Sequence, residues 1–343
     1  MKKSADFQIE RLESFLRDHF GHGTIDLQRV GGGQSNPTYF VEFGDRHLVL
    51  RKQPAGEILR GAHAIDREYR VMEAFGKTDV PVPKMVLFHE DAELLGTPFF
   101  LMERVAGRVF SDCTLPGLSA DERRGMYLSM AQTLARMHSY PPADIGLADF
   151  GRPGDYFGRQ IRRWTSQLHA SSYAENELLR NLAARIAALQ PADDGLMSIA
   201  HGDFRLGNMM FHPTEPRVVA ILDWELSTIG HPLADLAFAA MPWVTAPDEY
   251  GGILGQKSEG IPTISEFFDS YREILPNVPC PQPFHVAFAL FRFAVIFVGI
   301  ADRAAAGNAA DPEAARYAPL ATRFAVRANE VLDGVFGEIS SRD

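Results

Sequence analysis

The sequence predicts an α+β protein of two lobes, a small N-terminal lobe built on an antiparallel sheet with helices and a larger, mostly helical C-terminal lobe. Short runs with strand-like alternation fill residues 25–103, whereas longer runs with helical spacing follow. Because the pattern changes near residue 105, we expect an N-terminal lobe of residues 1–105 and a C-terminal lobe of residues 106–343. A length of 343 residues also favours two lobes over one.

Composition and charge exclude several classes of protein. A formal net charge of −10 argues against a sequence-independent nucleic-acid binder and against a protein that binds an anionic membrane surface. The two cysteines, Cys113 and Cys280, are too few for a disulfide framework or a cysteine-based zinc site.

The longest apolar stretch, residues 284–300, contains His285 and Arg292 and is shorter than a membrane-spanning helix requires. We therefore expect a buried helix there and no membrane partner. No apolar segment of the kind found in secretory signals follows Met1, so we expect a cytoplasmic protein. The sequence leaves the oligomeric state open.

The first lobe begins with an amphipathic helix and continues with short strands. Apolar residues at helical spacing predict the helix over residues 7–20, and residues 63–75 predict a second one. The predicted strands are residues 25–30, 38–43, 47–51, 84–89 and 98–103.

One carboxylate in the second of these helices faces the core. Glu68 lies on the apolar stripe of its helix, and a carboxylate that points into a core needs a cation. Arg51 and Lys52 are the candidates on the third strand, and alternation places them on opposite faces that both carry apolar residues. The pattern alone cannot choose between them. Alternatively, neighbouring arginines on the helix draw Glu68 to solvent: Arg67 and Arg70.

A polar loop followed by a short hairpin marks the functional centre of the second lobe. The apolar runs 209–211 and 217–222 are joined by a turn that contains proline, which predicts an antiparallel hairpin. Asn208 directly precedes the first run, Asp223 directly follows the second, and Asp203 lies on the loop that enters the hairpin. We expect the three side chains to converge at one edge.

These residue types suit phosphate transfer. A carboxylate and an amide oxygen are ligands that Mg²⁺ accepts while it keeps several waters. A further carboxylate without a metal can accept the proton of a hydroxyl group. Such a set is typical of a kinase.

The motif H-G-D-x-x-x-x-N over residues 201–208, followed by I-L-D at residues 221–223, resembles the aminoglycoside phosphotransferase and choline kinase-like family, which has the protein-kinase-like fold. The continuation I-L-D-W-E-L-S-T-I-G-H-P-L-A-D-L-A is most similar to the branch of kinase-like domains fused to acyl-CoA dehydrogenases. The resemblance extends over about residues 24–335.

The resemblance implies transfer of the γ-phosphoryl group of ATP (or GTP), with Mg²⁺, to the hydroxyl of a small molecule. Asp203 would accept the hydroxyl proton, and Arg205 would offset charge on Asp203 or on the phosphates. Asn208 and Asp223 would hold Mg²⁺. His201 and Asp235 are expected to hold the loop of residues 201–208 in place without taking part in the chemistry.

The resemblance also assigns the nucleotide site. Alignment of the third strand favours Arg51, paired with Glu68, as the phosphate-binding cation. The hinge between the lobes would bind adenine through backbone groups near Glu103 and Val105, with Met102 as gatekeeper. The loop expected to cover the phosphates comprises Gly32, Gly33, Gln34, Ser35 and Asn36.

A basic helical face offers a candidate acceptor site. Arg159, Arg162 and Arg163 have the spacing of one helix face, which would suit an anionic or CoA-linked alcohol. A solvated face paired with local acids explains the same pattern. His138, at the end of a helix that begins after the capping box Ser119–Glu122, is expected to cap that helix or pack locally.

Two alternatives stay open. The chain could be a nucleotide-binding pseudokinase with a regulatory role, since an arginine stands where kinases carry a lysine. It could also be a metallohydrolase that uses a cluster of histidines and aspartates: His201, Asp203, His212, Asp223, His231 and Asp235.

Overall fold

The computed structural model describes residues 5–31, 36–55, 64–256, 259–307 and 314–337. The chain forms two compact units, one of Met1–Ala106 with Ala220–Glu225 and one of Gly107–Val219 with Leu226–Asp343. The first contains a small antiparallel sheet and the second is mostly helical. The predicted α+β class is confirmed.

The first unit contains a five-stranded antiparallel sheet in the order β1-β2-β3-β5-β4. All five predicted strands are present, with ends within two residues of the predicted ones. They are β1 (Ile25–Arg29), β2 (Thr38–Phe43), β3 (Arg46–Lys52), β4 (Met85–His89) and β5 (Phe99–Glu103).

Helix α1 (Ile9–Phe20) covers one face of this sheet. Its fully buried Leu12 and Leu16 belong to the same apolar core as Leu48 and Leu50 of β3. Lys52 follows these leucines by alternation and therefore lies on the α1 side of the sheet.

Helix α2 (Ile65–Phe75) packs against β4 and β5 and brings Glu68 towards the sheet. Arg51 lies opposite Phe100 of β5, on the face that Lys52 does not share. The two faces of β3 therefore differ in their nearest helix: α1 lies on the side of Lys52 and α2 on the side of Arg51. Alternation along one strand does not reveal which helix lies on which side.

Seven helices form most of the second unit as far as its residues are described. They are α3 (Ala120–Ser139), α4 (Tyr156–His169), α5 (Glu177–Ala188), α6 (Pro232–Ala239), α7 (Ile264–Arg272), α8 (Pro283–Ala305) and α9 (Ala318–Leu332). Helix α3 begins at the predicted capping box, in which Ser119 and Glu122 each bind the other's backbone N–H. Pro232 occupies the first turn of α6, where its missing N–H costs no helical hydrogen bond.

Helix α8 lies at the centre of the second unit. Its side chains from Phe284 to Val298 are buried with the exception of Ile296. Within the described part of the chain, α8 alone is long and apolar enough to cross a membrane, and 72% of its most apolar window is buried inside the protein. The predicted buried helix is confirmed, whereas the expectation that it is too short to cross a membrane is wrong, because the helix extends from Pro283 to Ala305. Core helices of globular proteins also meet this length criterion, which is therefore weak evidence for a membrane span.

Short strands position the loop that carries the motif. Strand β6 (Ser198–Ala200) leads into the loop and pairs with β9 (Thr228–Gly230). A single 3-10 turn, Leu206–Asn208, leads out of the loop into β7 (Met209–Phe211). The predicted hairpin is confirmed, because β7 pairs with β8 (Val218–Ile221).

Candidate active site

Arg51 is the centre of a charged group in the first unit, which we call the Arg51 cluster (Asn36, Arg51, Glu68 and Asp223). The Nε atom of Arg51 lies 2.7 Å from Oε2 of Glu68, and its Nη2 lies 2.7 Å from Oδ1 of Asp223. The predicted Arg51–Glu68 pair is therefore formed. Lys52 instead pairs with Asp6 at 3.0 Å on the other face of the sheet.

Burial dominates the electrostatics of this cluster. Glu68 is 1% exposed, and burial raises its pKa to about 7 although Arg51 favours the charged form. Burial would lower the pKa of Arg51, but Glu68 and Asp223 outweigh it and raise that pKa. Arg51 is thus a fixed cation beside a carboxyl group that can gain a proton near neutral pH.

Asn36 supports Glu68 directly. Its Nδ2 donates to Oε1 of Glu68 at 2.6 Å, and the side chain is almost fully buried. The sequence suggested that this side chain donates to phosphate, whereas here it points into the Arg51 cluster. The other residues of the predicted phosphate loop lie outside the described residues: Gly32, Gly33, Gln34 and Ser35.

Asp223 has a strained backbone that is fixed by its neighbours. Its φ of 63° lies in the left-handed region, which is uncommon for a residue other than glycine. The next residue, Trp224, is buried, donates its ring N–H to the Ile221 carbonyl at 3.1 Å and packs on Phe75 with ring centroids 5.3 Å apart. Since Arg51 binds only Oδ1, the second carboxylate oxygen can bind another group.

Asp203 lies in the second unit, on the loop of residues 201–208, which we call the catalytic loop after the role that the motif leads us to expect. Its Oδ2 accepts from Nε of Arg205 at 3.1 Å and from Nδ2 of Asn208 at 2.7 Å. Among the described residues, no group donates to its Oδ1. One oxygen fixes the carboxylate in place and the other is available to a hydroxyl donor.

The orientation of Asn208 suits a hard cation. Its Nδ2 donates to the carbonyl of Asp203 at 2.8 Å as well as to the Asp203 carboxylate, and the residue is buried. Because the amide nitrogen is used in this way, the side-chain oxygen Oδ1 is the atom left for a ligand. An amide oxygen is a type of ligand that Mg²⁺ accepts.

Asp235 of α6 binds the backbone of the catalytic loop. Its Oδ2 accepts from the N–H of His201 at 2.5 Å, and its Oδ1 accepts from the N–H of Gly202 at 2.9 Å. His201 is fully buried, and its Nδ1 accepts from the N–H of Asp203 at 3.1 Å. Both residues thus have the geometry expected of supporting groups.

His138 extends this network to a further helix, and its expected local role is wrong. Its Nδ1 lies 2.8 Å from the hydroxyl oxygen of Tyr271, and its Nε2 lies 3.4 Å from Oδ2 of Asp235. Burial alone would raise the pKa of Asp235, but the bonds from His138 and Gly202 hold that pKa below its usual value. The carboxylate that holds the loop therefore stays charged.

A cavity of about 620 Å³, including its open mouth, adjoins the catalytic loop within the second unit. Arg205, Leu206 and Gly207 form part of its wall. Much of the remaining wall is apolar or aromatic: Tyr127, Met130, Phe238, Met241, Phe293 and Phe324.

Glu249 and Arg205 are charged residues in this wall, and they differ in how far other groups balance their charge. Glu249 is 7% exposed, and its Oε2 lies 2.8 Å from Nε of Arg327 and accepts from the N–H of Ala246 at 2.8 Å. Its charge is therefore balanced from outside the cavity. Arg205 has 40% of its side chain exposed and lies 5.9 Å from the Tyr250 ring centroid. An apolar cavity with a cation at the loop suits a ligand that is not itself polycationic.

The predicted hinge residues follow β5. Met102 is half-buried and lies opposite Val49 of β3. The N–H of Glu103 donates to the carbonyl of Lys84 at 2.8 Å, so an adenine contact at Glu103 would have to use its carbonyl. Val105 is half-buried in the segment that follows the strand.

The basic residues of α4 have local partners. Arg162 pairs with Asp155 at 2.9 Å, and Arg159 donates to the carbonyls of Pro153 and Arg152 at 3.1 and 2.7 Å. Arg163 lies over the ring of Trp164, with its guanidinium carbon 5.2 Å from the ring centroid. These contacts favour the solvated face paired with local acids, and a role for the three arginines in acceptor binding stays a prediction.

Two of the residues proposed for a metallohydrolase have different structural roles. His231 caps α6 through Nδ1 and contacts Asp194 through Nε2 at 3.0 Å, whereas Asp235 holds the catalytic loop. No three histidine, cysteine, aspartate or glutamate side chains in the described ranges are arranged to hold a metal ion.

Comparison with known proteins decides the family. Residues 26–267, about two thirds of the chain, match the phosphotransferase enzyme family. The chain belongs to the phosphotransferase enzyme family. Transfer of phosphate to a small-molecule hydroxyl is accordingly its class of reaction.

The curated relatives of this phosphotransferase are longer proteins, and the chain matches only part of each. The chain is 37% identical over 323 residues to acyl-CoA dehydrogenase family member 10 of Mus musculus and covers 30% of that protein. It is 39% identical over 314 residues to acyl-CoA dehydrogenase family member 11 of Rattus norvegicus and covers 40% of it. The matches cover 92% and 88% of this chain. The predicted branch is thereby confirmed.

Solved structures agree on the fold. A crystal structure from Ralstonia eutropha JMP134, described as a candidate aminoglycoside phosphotransferase, is 40% identical with a TM-score of 0.86, and the match covers 95% of this chain and 98% of that one. A thermostable mutant of aminoglycoside phosphotransferase APH(4)-Ia, in a ternary complex with AMP-PNP and hygromycin B, has a TM-score of 0.59 at 16% identity, over 95% of this chain and 99% of that one. At that identity the second similarity shows the kinase-like fold alone.

Proposed function

We propose that this phosphotransferase transfers the γ-phosphoryl group of ATP, bound with Mg²⁺, to the hydroxyl of a small molecule. The main support is the geometry of Asp203, whose Oδ2 is held by Arg205 and Asn208 while Oδ1 can accept a proton. The attacking oxygen loses its proton to Asp203 as its bond to phosphorus forms, and the nucleoside diphosphate leaves.

In this proposal, most of the rate acceleration comes from positioning the reactants and from electrostatic stabilisation of the phosphates. Arg205 lowers the cost of bringing a phosphate near the Asp203 carboxylate, because its guanidinium neutralises local negative charge. Asn208, through Oδ1, and Asp223 are the proposed ligands of Mg²⁺. When bound, the ion neutralises charge on the phosphates.

The Arg51 cluster is the proposed phosphate-binding part of the nucleotide site. Arg51 is a permanent cation whose Nε is fixed by Glu68, which presents the rest of the guanidinium in a defined orientation. Arginine can bind two oxygens at once, so it can serve where protein kinases use lysine. The Glu103 carbonyl and the Val105 N–H are the proposed adenine partners.

The cavity beside Arg205 supports an acceptor alcohol with an apolar body and an anionic group. Its aromatic and methionine wall suits an apolar chain, and the acid Glu249 is already balanced by Arg327. An anionic or CoA-linked alcohol meets both requirements, and the names of the curated relatives point to acyl-CoA chemistry.

An ATP-turnover screen over chemically distinct alcohols tests the proposal. Hydroxyacyl-CoA compounds, free hydroxy acids, choline-like amino alcohols and aminoglycosides are compared with and without Mg²⁺. We expect Mg²⁺-dependent phosphorylation, with the highest kcat/KM for an apolar, anionic acceptor. Turnover confined to aminoglycosides would contradict the acceptor class. Tight ATP binding without turnover on any acceptor would favour the pseudokinase.

A further inference from the structure

Arg292 is a buried cation in the middle of the apolar helix α8. It is 8% exposed, and its hydrogen-bond partner among the residues that the structure describes is a backbone carbonyl and not a carboxylate. Burying a charge without a counter-ion is costly unless other groups stabilise it. A leucine or methionine would fill the same space without that cost, so the cation calls for an explanation.

Three groups stabilise the guanidinium. Its Nη2 donates to the carbonyl oxygen of Gly202, the residue before Asp203. Its central carbon lies 5.7 Å from the ring centroid of Trp164 and 5.3 Å from that of Phe238, within the range of cation–π attraction. The aromatic rings orient the arginine, and the hydrogen bond that it forms within the described ranges goes to the catalytic loop.

Gly202 is consequently held on both sides. Asp235 accepts from its N–H, and Arg292 donates to its carbonyl, which belongs to the peptide that joins Gly202 to Asp203. Its φ is +82°, and an added Cβ would lie 2.7 Å from the carbonyl oxygen of Leu226, so only glycine fits this conformation. Two buried, oppositely charged side chains thus set the direction in which the chain enters Asp203.

We propose that Arg292 is a positioning residue for phosphate transfer, because its bond to the Gly202 carbonyl fixes the backbone from which Asp203 projects. This inference rests on the proposed function of Asp203. Arg292 has no contact with the reacting groups in the proposal and acts only through the peptide. A small displacement of a catalytic group can lower a rate by about 100-fold.

Kinetics of two substitutions test this role. Arg292→Met removes the donor and keeps the bulk, whereas Arg292→Lys keeps a cation that can donate to a carbonyl. Arg185→Met is the matched control, because Arg185 bridges α5 and α9 through Asn329 and Asp333 and has no contact with the catalytic loop.

We expect kcat to fall about 10- to 100-fold in Arg292→Met and less in Arg292→Lys, with KM for ATP and acceptor within about threefold of wild type. Arg185→Met should lower Tm and leave kcat within about twofold. An unchanged kcat in Arg292→Met would overturn the proposal, as would losses of kcat that follow Tm across all three variants. If Arg292→Met does not fold, Arg292→Lys decides: a kcat at least about threefold below wild type supports the proposal, and a wild-type kcat overturns it.

Amide hydrogen exchange separates this inference from the proposed function. Exchange at residues 201–203 should be at least about tenfold faster in Arg292→Met, or in Arg292→Lys if only that variant folds, than in Arg185→Met. If the wild type transfers no phosphate to any acceptor, the proposed function fails while faster exchange still supports Arg292 as the residue that fixes the loop. Equal exchange in the two variants would overturn that role.

Discussion

Glu68 combines nearly complete burial with a neighbouring arginine, and the two have opposite effects on its pKa. Burial prevails and raises the pKa to about 7 from 4.5. Between pH 4.5 and pH 7, an acid with such a raised pKa binds more protons in the folded protein than in the unfolded chain. Its contribution to the free energy of unfolding is complete below about pH 4.5 and is lost as the pH rises through 7.

Glu68→Gln should therefore change the pH dependence of stability. Glutamine stays neutral, so the variant should not lose stability as the pH rises. The difference in free energy of unfolding between the variant and wild type should therefore shift by about 2 kcal/mol in favour of the variant from pH 5 to pH 8. Denaturant unfolding at several pH values measures this difference. Glu73→Gln, on the exposed face of the same helix, is the control and should run parallel to wild type. Parallel curves for Glu68→Gln as well would show that Glu68 is charged throughout.

Asp223→Ala should weaken nucleotide binding only where Mg²⁺ is present. The substitution removes a proposed metal ligand and leaves the Arg51–Glu68 pair in place. We expect the Kd for ATP with Mg²⁺ to rise about tenfold or more, equal to about 1.4 kcal/mol, and the Kd without Mg²⁺ to change little. Calorimetric titration with and without the ion makes the comparison. The control is Asp91→Ala, since Asp91 is an exposed residue whose side chain accepts from the N–H of Glu93. An equal loss in both titrations would remove Asp223 from the list of metal ligands.

The local sequence pattern assigns the environment of some residues and not that of others. Glu68 could be assigned to the core from its helical stripe, but Arg51 and Lys52 could not be separated by alternation. Their faces differ in distant partners, since Lys52 meets Asp6 and Arg51 meets α2. Arg292 was visible as a charge in an apolar run, yet nothing local linked it to Gly202, 90 residues away.

At the scale of elements, the capping box of α3 links a local motif to the candidate site. Ser119 and Glu122 satisfy backbone N–H groups at the start of the helix. The same helix carries Tyr127 and Met130 into the cavity wall and His138 towards Asp235. The cap should stabilise the fold without taking part in chemistry.

Ser119→Ala should lower the free energy of unfolding by about 1 kcal/mol because it leaves the N–H of Glu122 without its side-chain acceptor. Turnover at 25 °C should stay within about twofold of wild type. Ser119→Thr keeps the hydroxyl and should retain most of the stability. An equal loss in both variants would mean that packing at this position, and not the cap, provides the stabilisation.

Elements with a long or repeated pattern could be predicted, and short non-local ones could not. Helices α1, α3 and α8 follow from apolar spacing and caps, and the β7–β8 hairpin follows from two apolar runs with a turn between them. Strand β9 has three residues and exists because it pairs with β6, with Ser198 opposite Gly230. A pairing so distant in sequence leaves no local pattern.

At the scale of the whole molecule, the family and the α+β architecture were accessible from one motif and a change of pattern along the chain. The acceptor was not, because the cavity wall collects residues from between Ser111 and Phe324 that share no motif. The chain spans about 30 to 40% of the curated relatives' lengths, so their activities as whole proteins do not transfer to it.

The central claim is that Asp203 accepts the acceptor's proton during transfer of the γ-phosphoryl group. The most direct measurement is the rate of phosphate transfer from ATP to the best acceptor by Asp203→Asn, with ATP affinity measured on the same preparation. The control is Asp302→Asn, since Asp302 lies near the end of α8 and its side chain accepts from the N–H of Ser172. The account predicts a kcat lower by about 100- to 10,000-fold, an ATP Kd within about threefold of wild type and an unaffected control. Retention of wild-type kcat by Asp203→Asn would contradict it.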